Sequence, residues 1–489
     1  MSEDRIDILH TSFNRSIIVT SVDDSISANA GVLLLREADH KLRITEDLAD
    51  KLYDPRLQSH IRYSYAELLR ARLFGFACGY SRQDDADELA HDPAFRAAVW
   101  NRAGDNVTAE RLASQSGHSR LIDCLVDGDN LKVLCDYLAE PVIRHRQVRT
   151  DHKIKSATAD IDGFPVTVYG NQEGAAYNGY YLRKVYSPLA AHLSASGDLD
   201  DPRASSGFIN AKLRKGDAAP AEGALAFMLE TYAKAMTFCE HVDLRADAAF
   251  AIGEIMDELA DRDIHFTMRL RDNPTLKRIA AANVFRPSGR PPADGYEWAV
   301  DLGPYQASTW RHAQRLILVI VDQPDQTGHL RLFPHYFFLV TNWTESERSA
   351  NDLLEHYRRR GTFEDRFGEL NQSLHTRLSQ PKFAENEATL LLSLLAYNLT
   401  ETLRRETESV TGSGWDLSRF QRTVLQTGAR LVKGGGRLRF LLMRPFTRSW
   451  TMLAKRLSHW SDQLARPVKR GIPLPPPPAH AYLTYSPRL

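Results

Sequence analysis

The sequence predicts an α/β fold in which helices precede and follow a region of strands. Residues 46–140 repeat apolar residues at steps of three and four, the spacing of helices buried along one face. Further on, strand-like runs at Val242–Asp247 and Ile264–Leu270 flank a helical run at Ile252–Leu259. This order predicts a β–α–β unit with two parallel strands in a sheet that helices cover.

The strand-rich middle begins at Ala157–Asp162, where apolar and polar residues alternate before a turn at Gly163. β-rich runs at Arg315–Val321 and His335–Thr341 predict a second group of strands, separate from the first. Helical spacing returns after Thr344 and continues through two further segments. A proline-rich stretch near the end of the sequence predicts an extended tail.

Length and composition bound the class of protein. A chain of 489 residues is too long for one compact core, and we expect two to four domains. With 43% hydrophobic and 25% charged residues, the composition is that of a globular protein. The sequence shows no long apolar run and no secretory leader, and its four cysteines lack metal-ligand spacing. We therefore expect a cytoplasmic protein with free thiols and no membrane segment.

Charge is unevenly distributed, although 62 basic and 62 acidic residues balance over the whole chain. Residues 411–489 carry 14 Lys or Arg against two Asp, whereas residues 81–140 carry six basic against 12 acidic side chains. A basic region of this size predicts contact with a polyanion such as DNA. The alternative is a set of solvated helix faces whose charges are balanced by neighbours in the fold.

The most informative segment runs from Tyr357 to Glu364 in a predicted helix. Tyr357, Arg360 and Glu364 are three and then four residues apart, so they would lie on one stripe of a helix. A tyrosine hydroxyl and a guanidinium suit phosphate oxygens, and a carboxylate suits a hard divalent cation. The stripe predicts a nuclease-like site, and the alternative is a solvated helix face of mixed charge.

Partners for Glu364 in a metal site would come from strands. Asp160 and Asp162 are two residues apart and so face the same side of their strand. Asp247 lies at the carboxyl end of its strand, where parallel α/β sheets gather ligand sites. Such carboxylates favour Mg²⁺, and two ions about 3.5–4 Å apart can activate a water and stabilise the leaving oxygen of a phosphodiester. The alternative for each aspartate is a strand-end acid that caps the next helix.

Taken together, these residues resemble the insertion-sequence DDE transposases. Tyr357, Arg360 and Glu364 match the Y-x2-R-x3-E signature of that group. Asp162 looks like its first catalytic aspartate, and Asp247, with the lead-in Arg-Ala-Asp, looks like the second. Similarity to the insertion-sequence family numbered 1380 is carried by three further segments, which are Gly170–Tyr180, Asn386–Arg405 and Thr427–Arg430.

The resemblance implies a ribonuclease-H-like catalytic core with a β-rich insertion between the second aspartate and the glutamate. It implies that Asp162, Asp247 and Glu364 are the catalytic residues and the ligands of two Mg²⁺ ions, for which Mn²⁺ could substitute. Asp160 is the alternative to Asp162 as a ligand. The implied partners are double-stranded DNA with terminal inverted repeats, target DNA, and a second copy of the chain in a homodimer on DNA. The protein would then be associated with the nucleoid.

The same resemblance suggests which side chains hold DNA. Tyr357 and Arg360 would bind the DNA end, and Arg358 and Arg359 would contact backbone phosphates. Asn371 stands where the family has a basic residue, so an amide replaces a charge there. In the basic C-terminal region, the expected phosphate contacts are Arg437, Arg439 and Arg444.

We therefore expect a DNA transposase that cleaves the ends of an insertion sequence and joins them to a target. The alternatives are a standalone metal-dependent nuclease of the same fold and a DNA-binding protein that has lost catalysis. The expected regions are a mainly helical DNA-binding region at 1–150, a catalytic core at 151–283 and 345–410 around a β-rich insertion at 284–344, a basic helical region at 411–472, and a proline-rich tail at 473–489.

Overall fold

The computed structural model describes the greater part of the chain. The described residues are 7–10, 12–13, 16, 18–20, 25–101, 104–149, 153–196, 206–286, 295–323, 333–373, 377–411, 415–443 and 447–461. Arg444 and the proline-rich tail lie outside these ranges. No helix within them is both long enough and apolar enough to cross a membrane.

The N-terminal region is mainly helical, as the spacing of its apolar residues predicts. It begins with short strands β1 (Asp7–His10), β2 (Ile18–Thr20) and β3 (Ile26–Ser27). Helices follow, which are α1 (Val32–Leu42), α2 (Ile44–Lys51), α3 (Tyr65–Ala77), α4 (Asp85–Leu89), α5 (Pro93–Val99), α6 (Gln115–Leu125), α7 (Asn130–Tyr137) and α8 (Glu140–Arg149).

The middle of the chain alternates strands with helices. The strands are β4 (Ile154–Gly163), β5 (Val166–Thr167), β6 (Ala176–Asn178), β7 (Arg183–Tyr186), β8 (Leu189–Ser196), β9 (Ser206–Lys212), β10 (Cys239–Ala246), β11 (Phe266–Leu270), β12 (Tyr296–Tyr305), β13 (Gln314–Asp322) and β14 (His335–Thr341). The helices between them are α9 (Ala224–Met236), α10 (Gly253–Asp261) and α11 (Pro274–Asn283).

One large sheet organises this part of the fold. Among the described residues it contains eight strands in the order β12-β13-β14-β11-β10-β4-β8-β9. Strand β10 runs parallel to β4 on one side and to β11 on the other, and the remaining pairs are antiparallel. The predicted mixed α/β fold is confirmed, including the parallel pair on either side of α10.

Strand β4 shows how the sequence gives the sheet two different faces. Ala157, Ala159 and Ile161 lie in an apolar core that also contains Met228 of α9 and Met256 of α10. Because side chains alternate along a strand, the polar residues between them face the opposite side of the sheet. That polar face carries the candidate site.

The strands at 284–344 do not form the separate insertion that the sequence predicts. Strand β14 pairs antiparallel with β11, with Thr341 opposite Thr267, and β13 and β12 extend the same sheet outward. The physical reason is that the exposed edge of β11 carries backbone groups that need partners. Strand β13 is buried on both faces from Leu316 to Ile320, which places it inside the sheet.

The C-terminal part of the chain packs against the N-terminal helices. Its helices are α12 (Ala350–Arg358), α13 (Gly361–Ser373), α14 (Phe383–Thr411), α15 (Leu417–Phe420) and α16 (Thr447–Leu457), and its strands are β15 (Ala429–Gly434) and β16 (Arg437–Leu442). Helix α14 packs against α1, α3, α7 and α8 in a second apolar core. Asn398 of α14 binds backbone groups on two other elements, with N–O distances of 2.7 and 2.8 Å to Phe208 and 2.8 Å to Leu138.

The region at 411–472 is not wholly helical, contrary to the prediction. Strands β15 and β16 form an antiparallel hairpin that turns at Gly435 and Gly436, which have φ values of 59° and 65°. Strand β15 also pairs with β3 from the N-terminal region. Basic and apolar residues alternate from Arg437 to Phe440 in β16, which is the period of a strand and explains the difference. Residues from the N-terminal and C-terminal parts of the described chain therefore contribute to one apolar core.

Candidate active site

Asp162 and Asp247 lie at neighbouring ends of two parallel strands. Ile161 of β4 is opposite Ala246 of β10, so the next residue of each strand is one of the two aspartates. Neighbouring strands are about 4.8 Å apart, which brings the carboxylates to one edge of the sheet. Asp162 Oδ1 accepts a hydrogen bond from Gly163 N at 2.8 Å, and Asp247 Oδ1 accepts one from Ala249 N at 2.8 Å. Each carboxylate is thus held by the chain that follows it.

Asp160 occupies a different environment, although it faces the same side as Asp162. Its two oxygens accept hydrogen bonds from the guanidinium of Arg245 at 2.6 and 2.7 Å. The Asp160 side chain is 1% exposed, whereas that of Asp162 is 18% exposed. Arg245 therefore uses both Asp160 oxygens, and Asp162 is the carboxylate of the pair that a ligand could reach.

Arg245 also connects the sheet to helix α12. Its guanidinium donates to the backbone carbonyl of His356, and the His356 imidazole lies 2.9 Å from a carboxylate oxygen of Asp243. Burial alone would raise the pKa of Asp243, but the contact with His356 and the charges of Arg348 and Arg245 lower it. Helix α12 is consequently docked on the polar face through charged groups of β10.

The segment Tyr357–Glu364 is not one continuous helix, contrary to the prediction. Helix α12 ends at Arg358, residues Arg359 and Arg360 form a turn, and α13 begins at Gly361. Arg360 N donates to Tyr357 O at 3.0 Å, which closes the turn. Glycine is a poor helix former, and Arg360 is drawn toward the sheet by an ion pair, so the helix breaks at this point.

Arg360 nevertheless reaches one of the strand-end aspartates, and Tyr357 packs against Phe337 of β14 with ring centroids 6.4 Å apart. The Arg360 guanidinium is buried and forms an ion pair with Asp162. Burial raises the pKa of Tyr357 to about 12, and the charges of Asp247 and Asp162 act in the same direction against those of Arg360 and Arg269. The Tyr357 hydroxyl is therefore protonated at neutral pH and able to donate a hydrogen bond.

The other two arginines of the segment point elsewhere. Arg358 forms an ion pair with Glu297 of β12, which joins the end of α12 to the outer strand of the sheet. Arg359 is exposed at the turn. In the C-terminal hairpin, Arg437 and Arg439 are exposed on one face of β16, whose alternate residues are half-buried.

Helix α13 is anchored by two residues that follow Glu364. Phe367, one turn further on, stacks on Phe164 with ring centroids 4.2 Å apart. Glu369 accepts hydrogen bonds from Arg404 at 2.9 Å and from Tyr397 at 3.2 Å, both on α14. Phe164 follows the end of β4, so the backbone of α13 runs beside the strand that presents Asp162.

The third expected metal ligand, Glu364, lies in the first turn of α13. The side chains of Glu364 and Asn371 lie outside the part of the chain whose side chains are described. Among the side chains that are described, no group of three His, Cys, Asp or Glu residues forms a metal cluster. The two aspartates present hard oxygen donors of the kind that Mg²⁺ prefers, which fits two positions of such a site.

Arg269 is a candidate that the sequence analysis missed. It lies at the carboxyl end of β11, and the register that pairs Ala246 with Met268 places it beside Asp247. Its guanidinium lies over the ring of Phe337 at 5.1 Å, and the residue is exposed. The alternation of the predicted strand Ile264–Leu270 could have identified it, since Arg269 follows the same strand-end rule as Asp247.

A sheet edge with paired aspartates beside a tyrosine and an arginine is the kind of site that phosphoryl-transfer enzymes use. A protein-family model described as Transposase DDE domain group 1 matches residues 9–461, and the chain belongs to that family. It is an enzyme that cleaves and transfers DNA, as the sequence predicts.

In the comparison with curated proteins, none matches the chain. Among solved structures, the chain is similar to the piggyBac transposase in a cryo-EM structure of its synaptic complex with hairpin DNA. The TM-score is 0.41 and the identity is 12%, with 87% of this chain and 81% of that chain covered.

The different environments of the two β4 aspartates give a stability prediction. Asp160→Asn should lower the free energy of unfolding by about 3 kcal/mol or more, because it leaves the Arg245 guanidinium buried without its counter-charge. Asp162→Asn should lower it by less than Asp160→Asn does, because water reaches Asp162 and can partly replace it as the partner of Arg360, although that guanidinium is also buried. Denaturant unfolding followed by circular dichroism measures both. Equal destabilisation by the two substitutions would contradict the separation of a structural from a functional aspartate.

Proposed function

We propose that this transposase cleaves the DNA ends of an insertion sequence in a Mg²⁺-dependent reaction and joins the freed 3′ hydroxyl to target DNA. The proposal rests on the positions of Asp162 and Asp247, which lie at the ends of two adjacent parallel strands. Arg360 and Tyr357 lie beside them. The resemblance to the insertion-sequence family numbered 1380 supports the choice of substrate.

The strand order supports a ribonuclease-H-like core within the larger sheet. Three antiparallel strands, β9, β8 and β4, are followed by the parallel neighbours β10 and β11. The first aspartate lies on the central strand of this group and the second on the strand next to it. The outer strands β12 to β14 then extend the core and contribute Glu297, which holds the end of α12 through Arg358.

Asp162, Asp247 and Glu364 would hold the divalent cations, with Mg²⁺ preferred and Mn²⁺ accepted. When bound, two such ions activate the attacking water or hydroxyl and stabilise the leaving 3′ oxygen of the scissile phosphodiester. Anchoring of α13 to Phe164 and Arg404 keeps the backbone of Glu364 close to β4.

Arg360 and Tyr357 would hold the DNA end. A phosphate oxygen offers the Arg360 guanidinium the same charge-assisted hydrogen bond that Asp162 provides without DNA. An incoming phosphate would thus compete for Arg360 and free an Asp162 oxygen for a cation. Tyr357 would donate its hydroxyl hydrogen to the same backbone, and Arg269 offers a further positive charge beside Asp247.

Remaining contacts would follow the DNA away from the cleaved bond. Arg358, Arg359 and Asn371 lie on or beside α13, and the hairpin presents Arg437 and Arg439 toward solvent. Arg444 follows the hairpin in sequence. Recognition of two terminal inverted repeats in one complex would require two copies of the chain, which supports a homodimer on DNA.

Loss of the third carboxylate should separate cleavage from binding. Glu364→Gln keeps the size of the side chain but removes a charged metal ligand, so Mg²⁺-dependent cleavage should fall by at least about 100-fold while DNA binding persists. Glu355→Gln, an exposed substitution on α12, is the matched control and should leave both unchanged. The assay uses a duplex that carries the DNA flanking the gene. Normal cleavage by Glu364→Gln would show that Glu364 is not the catalytic acid.

Salt dependence should identify the residues that contact phosphate. Arg360→Ala removes one phosphate contact, so binding should weaken and the slope of log K against log salt should become shallower by about 0.9. Asn371→Lys should tighten binding and steepen that slope without changing the Mg²⁺ requirement. Gel-shift titrations at several salt concentrations provide the slopes, with Arg262→Ala on the far side of the sheet as control. An unchanged slope for Arg360→Ala would show that Arg360 contacts only protein groups and no DNA phosphate.

A further inference from the structure

A tyrosine-rich loop between β6 and β7 has no role in the site described so far. We call residues 177–182, which are the last two residues of β6 and the turn that follows, the tyrosine loop. It belongs to a small sheet in which β7 pairs with both β5 and β6. Tyr180 is 87% exposed, Tyr177 is 64% exposed and Tyr181 is 36% exposed. Aromatic rings of this size are seldom left in water at neighbouring positions without a ligand or partner.

The tyrosine loop is held in a defined conformation. Asn178 Oδ1 accepts hydrogen bonds from the backbone N–H groups of Tyr180 and Tyr181, at 3.0 and 3.4 Å. Asn178 Nδ2 donates to the carbonyl of Gly216 at 3.2 Å, which fixes the loop to the segment after β9. Leu182 adopts a left-handed conformation with φ of 53° and turns the chain back into β7. The two rings are therefore presented in place before any ligand arrives.

The loop lies at the edge of the catalytic carboxylates. The small sheet that carries the loop starts at the end of β4, because β5 begins at Val166, shortly after Asp162, and Phe164 N donates to Pro188 O at 3.2 Å. Burial and the neighbouring Tyr180 raise the pKa of Tyr181, and the charges of Asp162 and Asp247 act in the same direction. The rings of Tyr180 and Tyr181 meet edge to face with centroids 5.0 Å apart. Both rings thus border the strand ends where the scissile phosphate would lie.

The surrounding charge favours a nucleic acid over a protein side chain. Arg183 and Lys215 are exposed beside the loop, so a phosphate backbone passing the rings would meet positive charge. A neutral aromatic ring can stack on the flat face of a base, whichever base it is. A base within a duplex has both faces covered by its neighbours, so only an unpaired base can use such a surface.

We propose that Tyr180 and Tyr181 stack on unpaired bases of the DNA strand next to the cleaved bond. This inference rests on the proposed function for the position of the DNA. The stacked bases would be kept out of the duplex, and the adjacent phosphodiester would be oriented toward Asp162 and Asp247. Tyr180 is the primary contact because its ring is the more exposed, and Tyr181 supports it edge-on.

The test uses the full chain and duplexes that carry 2-aminopurine beside the cleavage position. One duplex is fully paired, and the other has three unpaired nucleotides there. The wild-type protein should bind the unpaired duplex more tightly and quench 2-aminopurine on binding. Tyr180→Ala should reduce that preference by about 5-fold or more, and Tyr181→Ala should act in the same direction. Tyr180→Trp should retain it, and Tyr53→Ala, at an exposed tyrosine of the N-terminal region, should have no effect.

Each outcome bears on one proposal or the other. If the wild-type protein cleaves DNA while Tyr180→Ala and Tyr181→Ala keep the full preference and quenching, the stacking proposal is overturned. It is also overturned if light scattering shows that the substitutions change only self-association, because the rings would then cover a second copy of the chain. If the wild-type protein quenches 2-aminopurine through these tyrosines but cleaves nothing, stacking stands and the proposed function fails.

Discussion

The architecture of the site depends on one buried ion pair, between Asp160 of β4 and Arg245 of β10. The pair joins the two central parallel strands at directly opposed positions, and the same guanidinium holds the carbonyl of His356 on α12. A buried pair of this kind adds little net stability, but removal of one member leaves an uncompensated charge. The ion pair fixes positions instead, because β4, β10 and α12 cannot shift relative to one another without breaking it.

The polar face of the sheet is therefore divided into an inner and an outer row. The inner row is buried, and Asp160 and Arg245 form an ion pair there that excludes water. In the outer row, Asp162 and Asp247 are one step nearer the strand ends and remain partly exposed. Arg360 forms an ion pair with Asp162 in this row.

Local patterns in the sequence predicted part of the site. The strands that carry Asp162 and Asp247 follow from alternation, and their adjacency follows from the β–α–β order around α10. Contacts between distant segments were not predictable in this way. The pairing of β14 with β11 and of β15 with β3 depends on which strand edges remain open in the folded chain. The break between α12 and α13 depends on an ion pair that spans almost 200 residues. The roles of the site residues stay predictions, supported by the family and by their placement.

The measurement that tests the central claim most directly is metal rescue of cysteine substitutions. Asp162→Cys and Asp247→Cys should lose DNA cleavage in Mg²⁺, because this hard ion binds thiolates poorly, and regain part of it in Mn²⁺. Asp160→Cys should not be rescued by either ion, because Asp160 acts through Arg245 and not through a metal. Wild-type cleavage with no rescue at Asp162 or Asp247, or rescue at Asp160 instead, would contradict the assignment of an open outer row that binds metal.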